Sequence, residues 1–188
     1  MIEINARNLA ERLIPIEKSI PINSYTNGYK RAAVLVPLIW HEHDWHILYT
    51  KRTETIPHHK GQISFPGGMT EADDKSFAET ALRETEEELG VSRNSILVVG
   101  SMDEFLAVSG VTIMPFVGIM EWPQKLNLSV AEVSRVILIP VDWLSDPTHH
   151  REGEYHGYKD VVFYNEYEGD LLWGITARLT KTFINQLQ

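Results

Sequence analysis

The sequence predicts an α/β sandwich, of the segregated α+β kind, built on a mixed sheet. Three observations lead there: short apolar segments of strand character recur from Ala32 onward, one long capped helix is inserted after the third of them, and a second helix closes the chain.

Taken in order, INARNLAERL (4–13) spaces Ile4, Leu9 and Leu13 as a short helix expected outside the main core, and Pro15 and Pro21 then break the chain. Residues 1–29 are therefore expected to form a helical extension to a single domain spanning 1–188. AAVLVPLIW (32–40) and WHILYTKR (45–52) are expected strands joined by the turn HEHD. His41, His43 and His46 are assigned to that hairpin rather than to a metal, because their spacing alternates across a turn and no fourth ligand follows. Pro66, Gly67 and Gly68 make a tight turn. Ser76 with Glu79 forms a capping box and Gly90 a C-terminal stop, which predicts a helix over 77–89. Strands follow at 96–99, at 111–120, in VILIP, around Tyr155 and in VVFYNEY, with the short segment VDWL after VILIP. Trp173, Gly174, Ile175, Thr176 and Ala177 open the last helix, which runs to Leu187.

A net charge of −9 with no basic stripe argues against a nucleic-acid surface. Zero cysteines exclude a disulfide framework, thiolate metal ligands and a cysteine nucleophile. With no signal-like start and no long apolar span, no membrane partner is expected; the cytoplasm is the expected compartment, and a monomer or a homodimer the expected state.

Function is concentrated in the long helix. On a helical wheel Ala78, Leu82, Thr85 and Leu89 form a stripe that faces a core, while Glu84, Glu87 and Glu88 fall together on another side. Like charges at these offsets cost on the order of 0.2 to 0.5 kcal/mol per pair. Glu86 to Glu88 also crowd the helix end that prefers cations. A hard divalent cation reverses that penalty, and Mg²⁺ suits a few carboxylates that share it with waters and substrate phosphates; an acidic solvated face is the plainer alternative.

Arg83, Glu84, Glu87, Glu88, Gly90 and Val91 lie in the register of the Nudix box, which spans 66–91 here, and the chain resembles the Nudix hydrolases on these residues. Gly68 stands one residue further from Arg83 than the box specifies, Lys75 replaces its first glutamate, and Thr85 replaces an aliphatic residue. An aspartate-containing insertion at this place, here around Asp73 and Asp74, is similar to that of the coenzyme A pyrophosphatase branch. Thr50, Arg52, His59, Gly61, Gln62, Ile63, Phe65, Pro66, Gly67 and Gly68 resemble the signature of the same branch, as do Ser109–Gly110, the stretch from Pro115 to Gly118, Glu132–Val133 and the Trp173–Ala177 motif. Pro57 stands where that branch has an arginine, which leaves His58 as the nearest substitute.

The resemblance implies a Nudix-type α/β/α sandwich with a loop-helix-loop catalytic motif, and a metal set of the Gly68 carbonyl, Glu84, Glu87 and Glu88 holding Mg²⁺ or Mn²⁺. It implies that Arg83 orients a glutamate, with Glu84, Glu87 and Glu132 as candidate bases in that order; Glu132 is equally an ordinary loop acid. The cations Lys51, Arg52, His58, His59 and Lys60 are either a solvated loop or the counter-charge for substrate phosphates. The expected partner is a small nucleotide, coenzyme A or a thioester of it, cut to adenosine 3',5'-bisphosphate and 4'-phosphopantetheine. ADP-ribose or another nucleoside diphosphate derivative is the alternative substrate, and a non-catalytic nucleotide sensor the alternative of another class.

Overall fold

The protein is described from a computed structural model, over residues 4–18, 22, 30–55 and 59–188. In chain order the elements are α1 (Ala6–Arg12), β1 (Lys30–His41), β2 (Asp44–Arg52), β3 (Ile63–Ser64), β4 (Gly67–Met69), α2 (Phe77–Leu89), β5 (Ile96–Ser101), β6 (Phe105–Leu106) and β7 (Val111–Met120). They continue with β8 (Val133–Pro140), α3 (Val141–Ser145), β9 (His150–Tyr155), β10 (Tyr158–Tyr164) and α4 (Gly174–Leu187).

One eight-stranded sheet carries the order β3-β2-β1-β7-β5, with β4 paired to β1, β6 to β7 and β8 to β2. β1 and β7 run parallel, from Lys30 opposite Val111 to Leu38 opposite Ile119, while the other pairs are antiparallel, so the sheet is mixed as expected. Strand periodicity explains its two covered faces. Ala33, Leu35 and Ile39 of β1 point to one side and meet Phe77, Ala81 and Leu89 of α2. Val36 and Leu38 point to the other and join residues of α1, α3 and α4. The result is the α/β/α sandwich, with α2 as the helix of one outer layer among the described residues. Among the described residues no helix is long and apolar enough to cross a membrane.

Helix α1 is not outside the core. Ile4, Leu9 and Leu13 are buried in the same cluster as Phe183 and Leu187 of α4. Ile14 bridges Ser101 at the end of β5, and the Arg12 guanidinium donates to the Gln186 carbonyl at 2.8 Å. Spacing of three apolar residues shows a helix face but not what covers it, and here the sheet and α4 both do.

Helix α2 has the expected bounds for the expected reasons. The Ser76 hydroxyl accepts from the Glu79 N–H, and Gly90 closes the helix in the left-handed region at φ 68°. The Glu79 carboxylate accepts from the Lys75 N–H, one residue before the position that a capping box uses. Its buried face, however, is Phe77, Thr80, Ala81, Thr85, Glu88 and Leu89, with Ala78 and Leu82 only partly covered. Thr85 is fully buried, and its hydroxyl donates to the Ala81 carbonyl at 2.7 Å. Because that bond stays within the helix, Thr85→Val is expected to cost about 1 kcal/mol or less in urea denaturation. A loss of several kcal/mol would mean that the hydroxyl serves a wider network.

Candidate active site at the start and end of helix α2

The glycine turn sets the floor of the site. A Cβ on Gly67 would stand 2.4 Å from the Ala33 carbonyl oxygen, so β4 can pair with β1 only without a side chain there. A Cβ on Gly68 would stand 2.4 Å from the carboxyl carbon of Glu84. Glycine is thus required where the turn runs directly beneath a helix carboxylate.

Arg83 organises the loop before α2. Its Nε and Nη2 donate to the two oxygens of Asp74 at 3.0 and 3.1 Å, a bidentate pair between two largely buried side chains. Asp74 also accepts from the Glu71 N–H at 2.8 Å and the Thr80 hydroxyl at 2.7 Å. The Arg83 hydrogen bond, with these others, holds its carboxyl down to about 2 despite burial. Arg83 then reaches Glu84 at 2.9 Å, Glu87 at 3.3 Å and the Met69 carbonyl at 2.9 Å. Asp74 is the residue that sequence reasoning missed. An aspartate was visible in the insertion, but its approach to an arginine nine positions away depends on the loop's path.

The three helix acids do not share one solvated patch. Glu87 is exposed, Glu84 is half-buried against Gly68, and Glu88 is 3% exposed on the sheet-facing side. The wheel gives relative angles correctly but cannot show that the glycine turn covers the side on which Glu88 lies. Among the described residues, accordingly, no three acid or histidine side chains already form a metal-ligating cluster. Burial pushes the Glu88 carboxyl up to about 8; Arg52 and a backbone hydrogen bond from Gly67 oppose the rise, while Glu84 and Glu132 add to it. Glu84 is raised too, by burial first, with Arg83 working against it. The fourth acid of this stretch, Glu86, turns away and is held by Arg93 at 2.6 Å.

These groups fit a hard divalent cation. One carboxylate oxygen of Glu88 is buried with no hydrogen-bond partner, a costly state that a cation relieves. Glu84 and the Gly68 turn lie beside each other, and both Glu84 and Glu88 have their ionised forms disfavoured by desolvation and by neighbouring carboxylates, which a bound cation reverses.

Glu132 arrives from a distant loop that is tied to α2. The Asn127 and Ser129 N–H groups donate to the Leu89 and Glu88 carbonyls, and Gly90 lets Asn127 approach where a Cβ would stand 2.6 Å from its oxygen. The Glu132 carbonyl accepts from Thr53 at 2.9 Å, which sets this exposed acid beside the end of β2.

The expected cationic group divides. The charge of Arg52 acts on Glu88, opposing the rise of its carboxyl, and the Arg52 Nε finds no hydrogen-bond partner among the described residues. Lys51, one residue earlier, points to the opposite face of the sheet as strand alternation demands. Its ammonium is paired at 2.9 Å with the buried Asp170, which Arg135 also holds. Lys51 is therefore corrected from a phosphate-facing residue to a structural one. His59 and Lys60 are exposed in the turn before β3, with His59 Nδ1 and Gln62 Oε1 at 2.9 Å. His58 and Pro57 lie outside the described residues.

A sequence model of the NUDIX domain matches residues 29–178. A protein of Photorhabdus laumondii named as an uncharacterized Nudix hydrolase, NudL, is 32% identical over 174 residues, which cover 89% of this chain and 90% of that one. Nudix hydrolase 15, mitochondrial, of Arabidopsis thaliana is 36% identical over 157 residues; the match covers 79% of this chain but only 55% of the plant protein. Among solved structures, a MutT/nudix family protein from Enterococcus faecalis superposes with a TM-score of 0.58 at 16% identity, covering 90% of this chain and 65% of that one. That likeness supports the fold alone.

Proposed function

The chain belongs to the Nudix family of pyrophosphohydrolases, and on that premise we propose that it hydrolyses the diphosphate of coenzyme A or its thioesters, releasing adenosine 3',5'-bisphosphate and 4'-phosphopantetheine. One observation carries this proposal. The end of β2 joins the two motifs that lie apart in sequence: Arg52 acts on Glu88 of the box, and its N–H donates at 3.0 Å to the carbonyl of Gln62 in the His59–Gly68 signature.

Enzymes of this family use divalent metal ions such as Mg²⁺ or Mn²⁺. Glu84, Glu87, Glu88 and the Gly68 carbonyl would hold the ion, which would supply acidification of water and an offset for charge on the phosphoryl oxygens. Arg83, fixed by Asp74, positions Glu84 and Glu87 and touches no substrate. Glu84, beside the Gly68 turn and held by Arg83, is the first candidate to take the proton of the attacking water. Glu87 is the second candidate and Glu132, from the loop beside the end of β2, the third. Arg52 and Lys60 supply the positive charge that a highly anionic ligand needs against a chain of net charge −9, with His59 beside them as a hydrogen-bonding group.

The test is a panel of CoA, dephospho-CoA, ADP-ribose and NADH with Mg²⁺. CoA is expected to be cut severalfold more efficiently than dephospho-CoA, since its 3'-phosphate adds nearly two charges. Lys60→Ala is expected to narrow that gap, whereas Arg52→Ala lowers both rates because Glu88 also depends on Arg52. Equal rates on the two cofactors would remove the role of the turn, and faster cleavage of ADP-ribose would replace the proposed substrate.

A further inference from the structure

Strands β2 and β8 lose register where they reach the candidate site. Lys51 of β2 stands opposite Arg135 of β8, but the next residue, Arg52, stands opposite Val133, so Ser134 is left without a partner on β2. Such a bulge bends its strand and re-aims the side chains beside it, and bulges gather next to active sites. Here the Ser134 hydroxyl donates to the Lys51 carbonyl at 2.9 Å, which ties the extra residue back to β2. One position beyond the end of β2, Thr53 takes over. Its N–H donates to the Glu132 carbonyl at 2.9 Å and its hydroxyl to the Ala131 carbonyl at 3.0 Å, while the Thr55 hydroxyl donates to the Thr53 hydroxyl oxygen at 3.1 Å. At its other end the same loop is closed on itself and on α2. The Glu132 and Val133 N–H groups both donate to the Ser129 carbonyl, and the Ser129 N–H donates to the carbonyl of Glu88.

We propose that Thr53 is a positioning residue, whose N–H and hydroxyl, with the Ser134 bulge beside them, hold Glu132 at the helix acids as a carboxylate supplied from outside α2; the inference rests on the cation site above and not on the choice of CoA. The burial of Thr53 contrasts with what it holds. Thr53 is 9% exposed, yet its N–H and its hydroxyl both donate to Ala131 and Glu132, which are exposed. Tying down an exposed loop adds little to a core that lies elsewhere, whereas an acid that works from a loop needs its main chain fixed. The Glu132 charge reaches the site, being among the carboxylates that raise both Glu84 and Glu88. Residues 129–133 thus join two parts of the site: the Glu88 carbonyl anchors one side of the loop, and Thr53, which follows Arg52, anchors the other. A loose Glu132 is driven toward solvent by the like charges of Glu84 and Glu88. Held by Thr53, it stays where water among the acids can donate to it.

The experiment pairs a kinetic cycle with a binding measurement. With Mg²⁺ and whichever diphosphate of the panel the protein cuts, Thr53→Val is expected to lower kcat about tenfold with KM little changed, and Thr53→Ser, which keeps the hydroxyl, to restore it. In the Glu132→Gln background Thr53→Val is expected to have no further effect, because both changes remove one interaction. Calorimetric titration with Mn²⁺ needs no turnover. Glu132→Gln and Thr53→Val are each expected to weaken Mn²⁺ binding severalfold, again without adding, and Glu88→Gln to weaken it more. If circular dichroism shows Thr53→Val unfolded, Ser134→Ala, at an exposed position, is expected to give the same pattern on a smaller scale. Losses in kcat that multiply in the double variant overturn the positioning role, as do wild-type kcat and Mn²⁺ affinity in Thr53→Val or, in its place, Ser134→Ala. Failure to cut any diphosphate of the panel overturns the CoA proposal, and the Mn²⁺ cycle then decides Thr53 by itself. Undiminished Mn²⁺ binding by Glu88→Gln overturns the cation site, and the kinetic cycle then decides.

Discussion

Glu88→Gln is expected to lower turnover by on the order of a hundredfold or more at saturating Mg²⁺, while making the chelator-treated protein more stable. Both effects come from one buried group. The amide keeps the shape of the side chain but removes a charge that a cation needs and that the apo protein holds at a cost. The pH dependence follows from a folded-state pKa of about 8, above the ordinary value of 4.5. Below about pH 4.5 both folded and unfolded chains carry the proton. Between 4.5 and 8 the unfolded chain has released it and the folded one has not, so stability falls as pH rises, in total by a few kcal/mol. Urea denaturation of the chelator-treated protein across this range is expected to show that decline, and Glu88→Gln to flatten it. A variant of full activity, or one with the wild-type pH slope, would remove Glu88 from the site.

Asp74→Ala is expected to cost about 3–5 kcal/mol and to reduce kcat more than it changes KM. The stability loss arises because Arg83 keeps its charge in a largely buried position after losing both bonds of its bidentate partner. The kinetic loss arises because Arg83 then no longer holds Glu84 and Glu87 at a fixed distance from the Gly68 turn. Since the Asp74 carboxyl is lowered to about 2, its contribution is present above the unfolded value of 3.8 and lost as pH falls through about 2. Asp74→Asn, which retains an acceptor for Thr80, is expected to be milder in stability yet still impaired in kcat. Equal wild-type kinetics for both variants would make Asp74 a structural residue only.

The parts of the molecule legible in the sequence were those fixed by local rules. Ser76 and Gly90 bound α2 to the residue, because capping geometry depends on a few neighbouring positions. The alternation in AAVLVPLIW gave the central strand, though not that Ala33 and Val36 serve two different cores. What was hidden depends on distant partners. Lys51 meets Asp170 across 119 residues, and nothing around Lys51 marks it off from Arg52. Glu88 counted as one of three equivalent acids until the glycine turn closed over it. The cavity of about 460 Å³ between the turn at 59–63, the segment 105–109, the β9–β10 hairpin and the start of α4 is assembled from four separate segments, each of which alone is an ordinary loop or helix start.

Identification of products from CoA by mass spectrometry, with Mg²⁺ present and then removed by chelator, tests the central claim most directly. Adenosine 3',5'-bisphosphate and 4'-phosphopantetheine in equal amounts, formed only with the metal and hardly at all by Glu88→Gln, are the predicted result. Intact CoA alongside rapid metal-dependent cleavage of ADP-ribose would contradict it.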